Sequence, residues 1–138
     1  MADSARRGQP EVPDIASAAV DHVRLGYYYL DIGDIDGYGS LFDEQVVLRY
    51  PGVGPVRGRD EVERFEQRRR AAGPVRHTVT DIVSSGRLVV AFGRVDRRPV
   101  DPTSDAVTSV DFVDVFTVSD DGLISKRRRY LDTAEESA

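Results

Sequence analysis

At Pro74 the hydrophobic rhythm of the chain changes, and that change limits the folds open to it. Before Pro74 apolar residues recur mostly at helical spacing; beyond it they alternate with polar ones at a spacing of two. From Asp14 to Leu30 the stripe is Ile15, Ala19, Val23, Tyr27 and Leu30, with Ala18, His22 and Gly26 filling the same side. Asp14 is placed to cap the first turn by accepting a backbone N–H. Gly33 ends this helix, and Asp34 caps a shorter one whose inward side is Ile35, Tyr38, Leu41 and Phe42. The run "DIGDID" is thus a helix–turn–helix corner. "VVLRY" (Val46–Tyr50) has strand composition, and Pro51, Gly52, Gly54 and Pro55 break it. "RDEVERFEQRRR" predicts a third helix, acidic at its start and basic at its end, as the helix dipole favours. Only Val62 and Phe65 give it an apolar face, so it is expected on the rim as a lid, with Gly73 as its stop.

Beyond Pro74 strands are expected near Val75–Ser84, Arg87–Asp96, Ala106–Val118 and Leu123–Asp132. "SSGR" and "SDDG" read as tight hairpin turns and "RRPVDPTSD" as a longer loop. Helices followed by an antiparallel meander make an α+β domain, with helices packed on one face of a curved sheet. The domain is expected over residues 14–132, between loose tails at 1–13 and 133–138.

A chain of 138 residues is long enough to bury a core without cross-links, and it has no cysteine to make them. Two histidines, His22 and His77, do not support a histidine-rich metal site, and no metal or other cofactor is expected. A net charge of −5 argues against a nucleic-acid partner. The one basic run, "SKRRRY" (Ser125–Tyr130), alternates within an expected strand and reads as a solvated or ion-paired sheet face. No apolar run approaches membrane-spanning length and no secretory leader opens the chain, so a cytoplasmic protein with no membrane partner is expected.

Asp114 is the position richest in chemistry. Its neighbours at spacing two are Val110, Phe112, Phe116 and Val118, so a carboxyl stands in an apolar row. Two readings follow. Burial without a partner raises its pKa and makes it a general acid or base; alternatively, a two-residue hairpin at Asp120 and Asp121 sets Arg127 directly opposite, and the two pair. Asp111, on the other face, is expected to pair with the basic strand or a partner subunit. His77 shares a face with Val75 and Val79, as a core imidazole or a proton relay. Tyr50 closes its strand at the sheet edge, as a rim aromatic or a hydrogen-bond donor to a substrate oxygen. Successive helix positions turn by about 100°, so of Tyr27, Tyr28 and Tyr29 only Tyr27 follows the apolar stripe. Gly26 leaves room beside that stripe, for a ligand or for close packing. His22 reads as structural.

Taken together, "YYYLDIGDIDGYGSLFDEQVVLRYPG", "PVRGRDEVERF", "VRHTVTDIV" and "FVDVFTVSDDGLISKRRRYLD" resemble the SnoaL-like branch of the NTF2-like superfamily over roughly residues 15–132. The resemblance implies a cone-shaped α+β barrel: three helices and a bent antiparallel sheet around a pocket, often dimeric through the outer sheet face. It implies a hydrophobic small-molecule ligand, in a superfamily that includes polyketide cyclases, ketosteroid isomerase, scytalone dehydratase and proteins that only bind. Asp114 is similar in place to the strand carboxyl of the isomerase's oxyanion hole, while that enzyme's helix tyrosine and aspartate base fall on Gly26 and Tyr50. Asp31, Tyr50 and His77 resemble the corner aspartate, strand tyrosine and first pocket histidine of the dehydratase; its helix tyrosine falls on Leu30, and its second histidine has no counterpart near Arg94. On this footing the expected catalytic residues are Asp114, His77 and Tyr50, and the expected pocket lining is Tyr27, Asp31, Phe92, Phe112 and Phe116.

Overall fold

In the computed structural model, which describes residues 15–132, the first apolar stripe lies on helix α1 (Ile15–Ile32). The tails expected at 1–13 and 133–138, and the Asp14 cap, lie outside the described residues. Ala19, Val23, Tyr27 and Leu30 are buried, packing α1 onto the sheet. Burying a side chain of the valine or leucine kind contributes about 1.5–3 kcal/mol, which is what orients the helix. Gly33, at φ +80°, turns the chain, and the Asp34 side chain accepts the Gly37 N–H at 2.9 Å to start α2 (Ile35–Gly39). Of the tyrosine run, Tyr27 faces the core while Tyr28 is exposed.

Six strands form one sheet: β1 (Phe42–Tyr50), β2 (Val53–Arg57), β3 (Val75–Ser85), β4 (Leu88–Arg97), β5 (Thr108–Val118) and β6 (Ile124–Leu131), in the order β2-β1-β6-β5-β4-β3. The architecture is the expected α+β arrangement of helices on a curved sheet, open rather than closed into a barrel. One pair, β1 with β6, is parallel, which a simple meander does not provide. Phe42 opens β1 instead of closing the short helix. Pro51 and Gly52 turn the chain rather than breaking it, and β2 returns along β1 with Tyr50 opposite Val53. Pro55 is tolerated because β2 is an edge strand.

Helix α3 (Arg59–Arg70) buries Val62, Phe65 and Glu66 against α2, β1 and β2. A bulge at Thr80, whose hydroxyl donates to the Phe92 carbonyl at 3.1 Å, switches the inward parity of β3 from Val75, His77 and Val79 to Ile82. Gly93 faces this irregular stretch, and a β-carbon there would collide with the Thr78 carbonyl and the Phe112 ring.

The β5–β6 connection has more residues than a two-residue turn. Ser119 N–H bonds to the Leu123 carbonyl at 2.8 Å, leaving three residues in the loop, and a one-residue bulge follows between Thr117 and Val118. Arg129, rather than Arg127, therefore lies directly opposite Asp114. The two single-residue offsets sum to two, so both arginines keep the inner face. Lys126, Arg128 and Tyr130 point outward and are exposed.

Candidate functional site

Residues of α1, α2, α3, β1, β3, β4 and β6 line a cavity. Leu30, Ile35, Val75 and Val95 form its apolar wall, and Tyr50, His77, Glu66 and five arginines the polar one: Arg69, Arg70, Arg97, Arg127 and Arg129. The cavity offers about 30 Å³ to the centre of a water molecule, and its empty space, open solvent included, is about 390 Å³.

Helix α1 and strand β3 converge to build one end. Asp31, in the last turn of α1, accepts the backbone N–H of His77 on both oxygens (3.1 and 3.0 Å) and meets the ring Nδ1 at 2.7 Å. A carboxylate can only accept, so Nδ1 carries the proton and Nε2 the lone pair. The His77 side chain is 2% exposed. Nε2 has no hydrogen-bond partner among the described residues. Burial pushes the imidazole below the ordinary histidine pKa, and the bond to Asp31 opposes this without cancelling it.

Behind the cavity wall lies Asp114, fully buried. Arg129 grips it with a two-pronged contact, Nε to Oδ1 and a terminal N–H to Oδ2, both at 2.8 Å; Arg127 reaches Oδ2 at 3.2 Å and the Tyr27 hydroxyl donates to it at 2.6 Å. Burial alone would raise this carboxyl, but the two guanidiniums outweigh it and hold Asp114 well below the usual carboxylate range. Of the two readings of Asp114 the paired one holds and the protonated acid is corrected: it is an ionised carboxylate behind the cavity wall, held by Arg127 and Arg129. Burial and the Asp114 charge push the Tyr27 phenol far up, so Tyr27 stays a donor.

Arg127 is equally buried, donating to the Tyr38 hydroxyl as well as to Asp114, yet its Nε has no partner among the described residues. Tyr50 accepts from Arg69 at 2.7 Å and Arg129 at 3.1 Å, under the Arg69 guanidinium at 4.0 Å. With its oxygen taken by two donors, its own O–H is the group free to donate.

Of the expected site residues, His77 and Tyr50 line the cavity. Asp31 and Asp114 stand behind it, holding His77 and the arginines. Tyr27, Phe112 and Phe116 form a buried aromatic layer, with Tyr27 5.0 Å from the His77 ring and Phe112 4.4 Å beneath the Arg129 guanidinium. Phe92 is corrected outright: β4 turns Val89, Ala91 and Val95 inward and leaves Phe92 on the outer face, opposite Val113. Asp111 pairs with Arg94 of β4 rather than with β6. His22 holds the Gly122 carbonyl at 2.6 Å. Gly26 lies against Tyr38 and Leu41, away from the cavity.

Sequence reasoning missed the arginines as cavity lining. Arg69 and Arg70 read as helix-end charges, and Arg97 lies beside a loop, where it caps the Arg69 and Gly73 carbonyls. For Arg127 and Arg129 the signal was present, because they alternate in phase with an apolar face. Among the described residues no cluster of His, Cys, Asp and Glu could hold a metal ion, and no helix is long and apolar enough to cross a membrane.

The SnoaL-like domain family matches residues 23–127. No curated protein matches the chain significantly. Similar solved structures include an LEH-like epoxide hydrolase of Mycobacterium tuberculosis (TM-score 0.75, 18% identity, 86% of each chain covered). A candidate SnoaL-like polyketide cyclase of Jannaschia sp. has a TM-score of 0.75 at 21% identity, over 94% of this chain and 95% of that one. An M. tuberculosis protein in complex with estradiol-17beta-hemisuccinate has a TM-score of 0.72 at 19% identity, over 82% and 92%.

Proposed function

This chain belongs to the SnoaL-like domain family, and on that premise we propose that it is a small cofactor-independent enzyme moving a proton on a hydrophobic, oxygenated small molecule. Cyclisation, isomerisation and dehydration all fit that chemistry. The observation that carries the reading is His77: a cavity-lining, buried imidazole whose Nδ1 is held by Asp31 and whose Nε2 has no partner among the described residues. Neutral His77 would take the substrate proton at Nε2 and return it after rearrangement. Negative charge developing on the substrate oxygen would be met by the Tyr50 hydroxyl, a donor already in place before reaction. Asp31 is a positioning residue, and Asp114 keeps the arginines aimed. That a relative of this fold holds a steroid ester supports a ring-bearing ligand.

The test is exchange of α-protons in D2O on a panel of cyclic ketones and quinols. We expect exchange with the wild type and its loss in His77→Gln. Ketones that bind without any exchange would sink the catalytic reading.

A second reading, ligand binding without turnover, is favoured by the double ion pair that removes Asp114 from proton transfer. Thermal stabilisation by ligands without exchange would select it. The proposal also includes a cytoplasmic homodimer through the outer sheet face, where Phe92, Val113 and Tyr130 lie together. Phe92→Arg should then shift the sedimentation coefficient towards that of a monomer.

A further inference from the structure

Two buried polar atoms of the described residues lack partners, Arg127 Nε and His77 Nε2, and both residues line the same cavity. An unmet guanidinium N–H in a side chain 2% exposed costs free energy unless something accepts from it. Charge around the cavity points the same way. Five arginines line it, against Glu66 in the wall, Asp114 behind Arg127 and Arg129, and Asp31 behind His77. With His77 neutral, these groups sum to two positive charges.

We infer that the cavity is built for an organic carboxylate with an apolar body. The carboxylate would accept from Arg127 Nε–H near His77, within reach of the positive field of Arg69 and Arg97, while the body lies against Leu30, Ile35, Val75 and Val95. A planar, singly charged group suits a guanidinium edge. A phosphate dianion suits the site less, because the Glu66 carboxylate stands in the wall and an apolar surface faces the cations. The inference rests on the reading of this cavity as the ligand site, and it adds the substrate class: a carbonyl compound carrying a carboxylate.

The test is a titration of the full chain with propionate and benzoate against propionamide, benzamide and inorganic phosphate, followed by the ¹⁵N–¹H resonance of the Arg127 side-chain Nε–H. A carboxylate should move that resonance saturably and bind about tenfold or more tightly than its amide, as a charge-assisted bond does. Arg69→Gln, which removes one cavity cation, should weaken carboxylate binding several-fold and amide binding much less. Equal binding of acid and amide, tighter binding of phosphate, or an unmoved Arg127 resonance would each overturn the inference. The proton-transfer reading fails separately: carboxylates that bind as expected with no α-proton exchange refute that reading alone, and neutral ketones that exchange where no carboxylate binds refute this inference alone.

Discussion

His77 and Asp31, 46 residues apart, are joined at Nδ1 by a 2.7 Å contact that leaves the opposite ring nitrogen, Nε2, buried and without a partner among the described residues, in a side chain that lines the cavity. The arrangement determines which nitrogen is basic, so Asp31→Asn should act on chemistry through the tautomer. An amide presents a donor to Nδ1 and moves the ring proton to Nε2. We expect turnover to fall by a factor on the order of 10² to 10⁴ with substrate affinity largely kept. Nitrogen-15 chemical shifts of the His77 ring check the cause: an unchanged tautomer would refute it.

His77 should titrate below the ordinary histidine value of about 6.5, because burial disfavours the cation. The folded state then binds fewer protons than the unfolded chain, and stability declines as pH falls through that unfolded value, levelling below the folded one. A histidine NMR titration reads the midpoint directly. The acid limb of any activity profile should follow the same midpoint.

Asp114 has the same sign for another reason. Its folded pKa lies below the unfolded value of about 3.9, so its contribution is fully present above that pH and is lost as pH falls towards the lower folded value. Asp114→Asn leaves two buried guanidiniums without their anion and should cost roughly 3–5 kcal/mol. Urea unfolding at pH 7 measures it; a change under about 1 kcal/mol would contradict a buried ion pair of this kind.

Two glycines should respond oppositely to alanine. A β-carbon on Gly26 would make ordinary contact with Tyr38 and Leu41, at 3.6 Å or more. Gly26→Ala should therefore stabilise by up to about 1 kcal/mol through helix propensity. At Gly93 the same methyl meets the Thr78 carbonyl at the β3 bulge, so Gly93→Ala should destabilise. Thermal melts of the two variants, moving in opposite directions, are the check.

Much of the fold was legible because hydrophobic period survives in each element. The row from Val110 to Val118 shows a buried carboxyl at Asp114, and the Gly33–Asp34 pair shows the corner. Phe92 was misplaced because "LVVAFGRV" is apolar on both faces and parity has nothing to distinguish. Arg127 does pair with Asp114, but from a diagonal position rather than directly opposite, because the loop holds three residues and a bulge follows, neither of which leaves a period. The Asp31–His77 contact depends on where α1 ends relative to β3, a tertiary distance no local pattern encodes. Hairpin β2 was hidden by Pro55, tolerable only at a sheet edge that topology creates.

The paired offsets in the β5–β6 connection also show what the cavity asks of the last strand. A slip of β6 against β5 by one residue would expose Arg127 and Arg129 and turn Lys126 and Arg128 towards the core. A slip of two would carry the arginines one step along Asp114 and keep them on the inner face. The cavity thus fixes the parity of the strand more tightly than its exact position, and a register two residues away presents the same inward set.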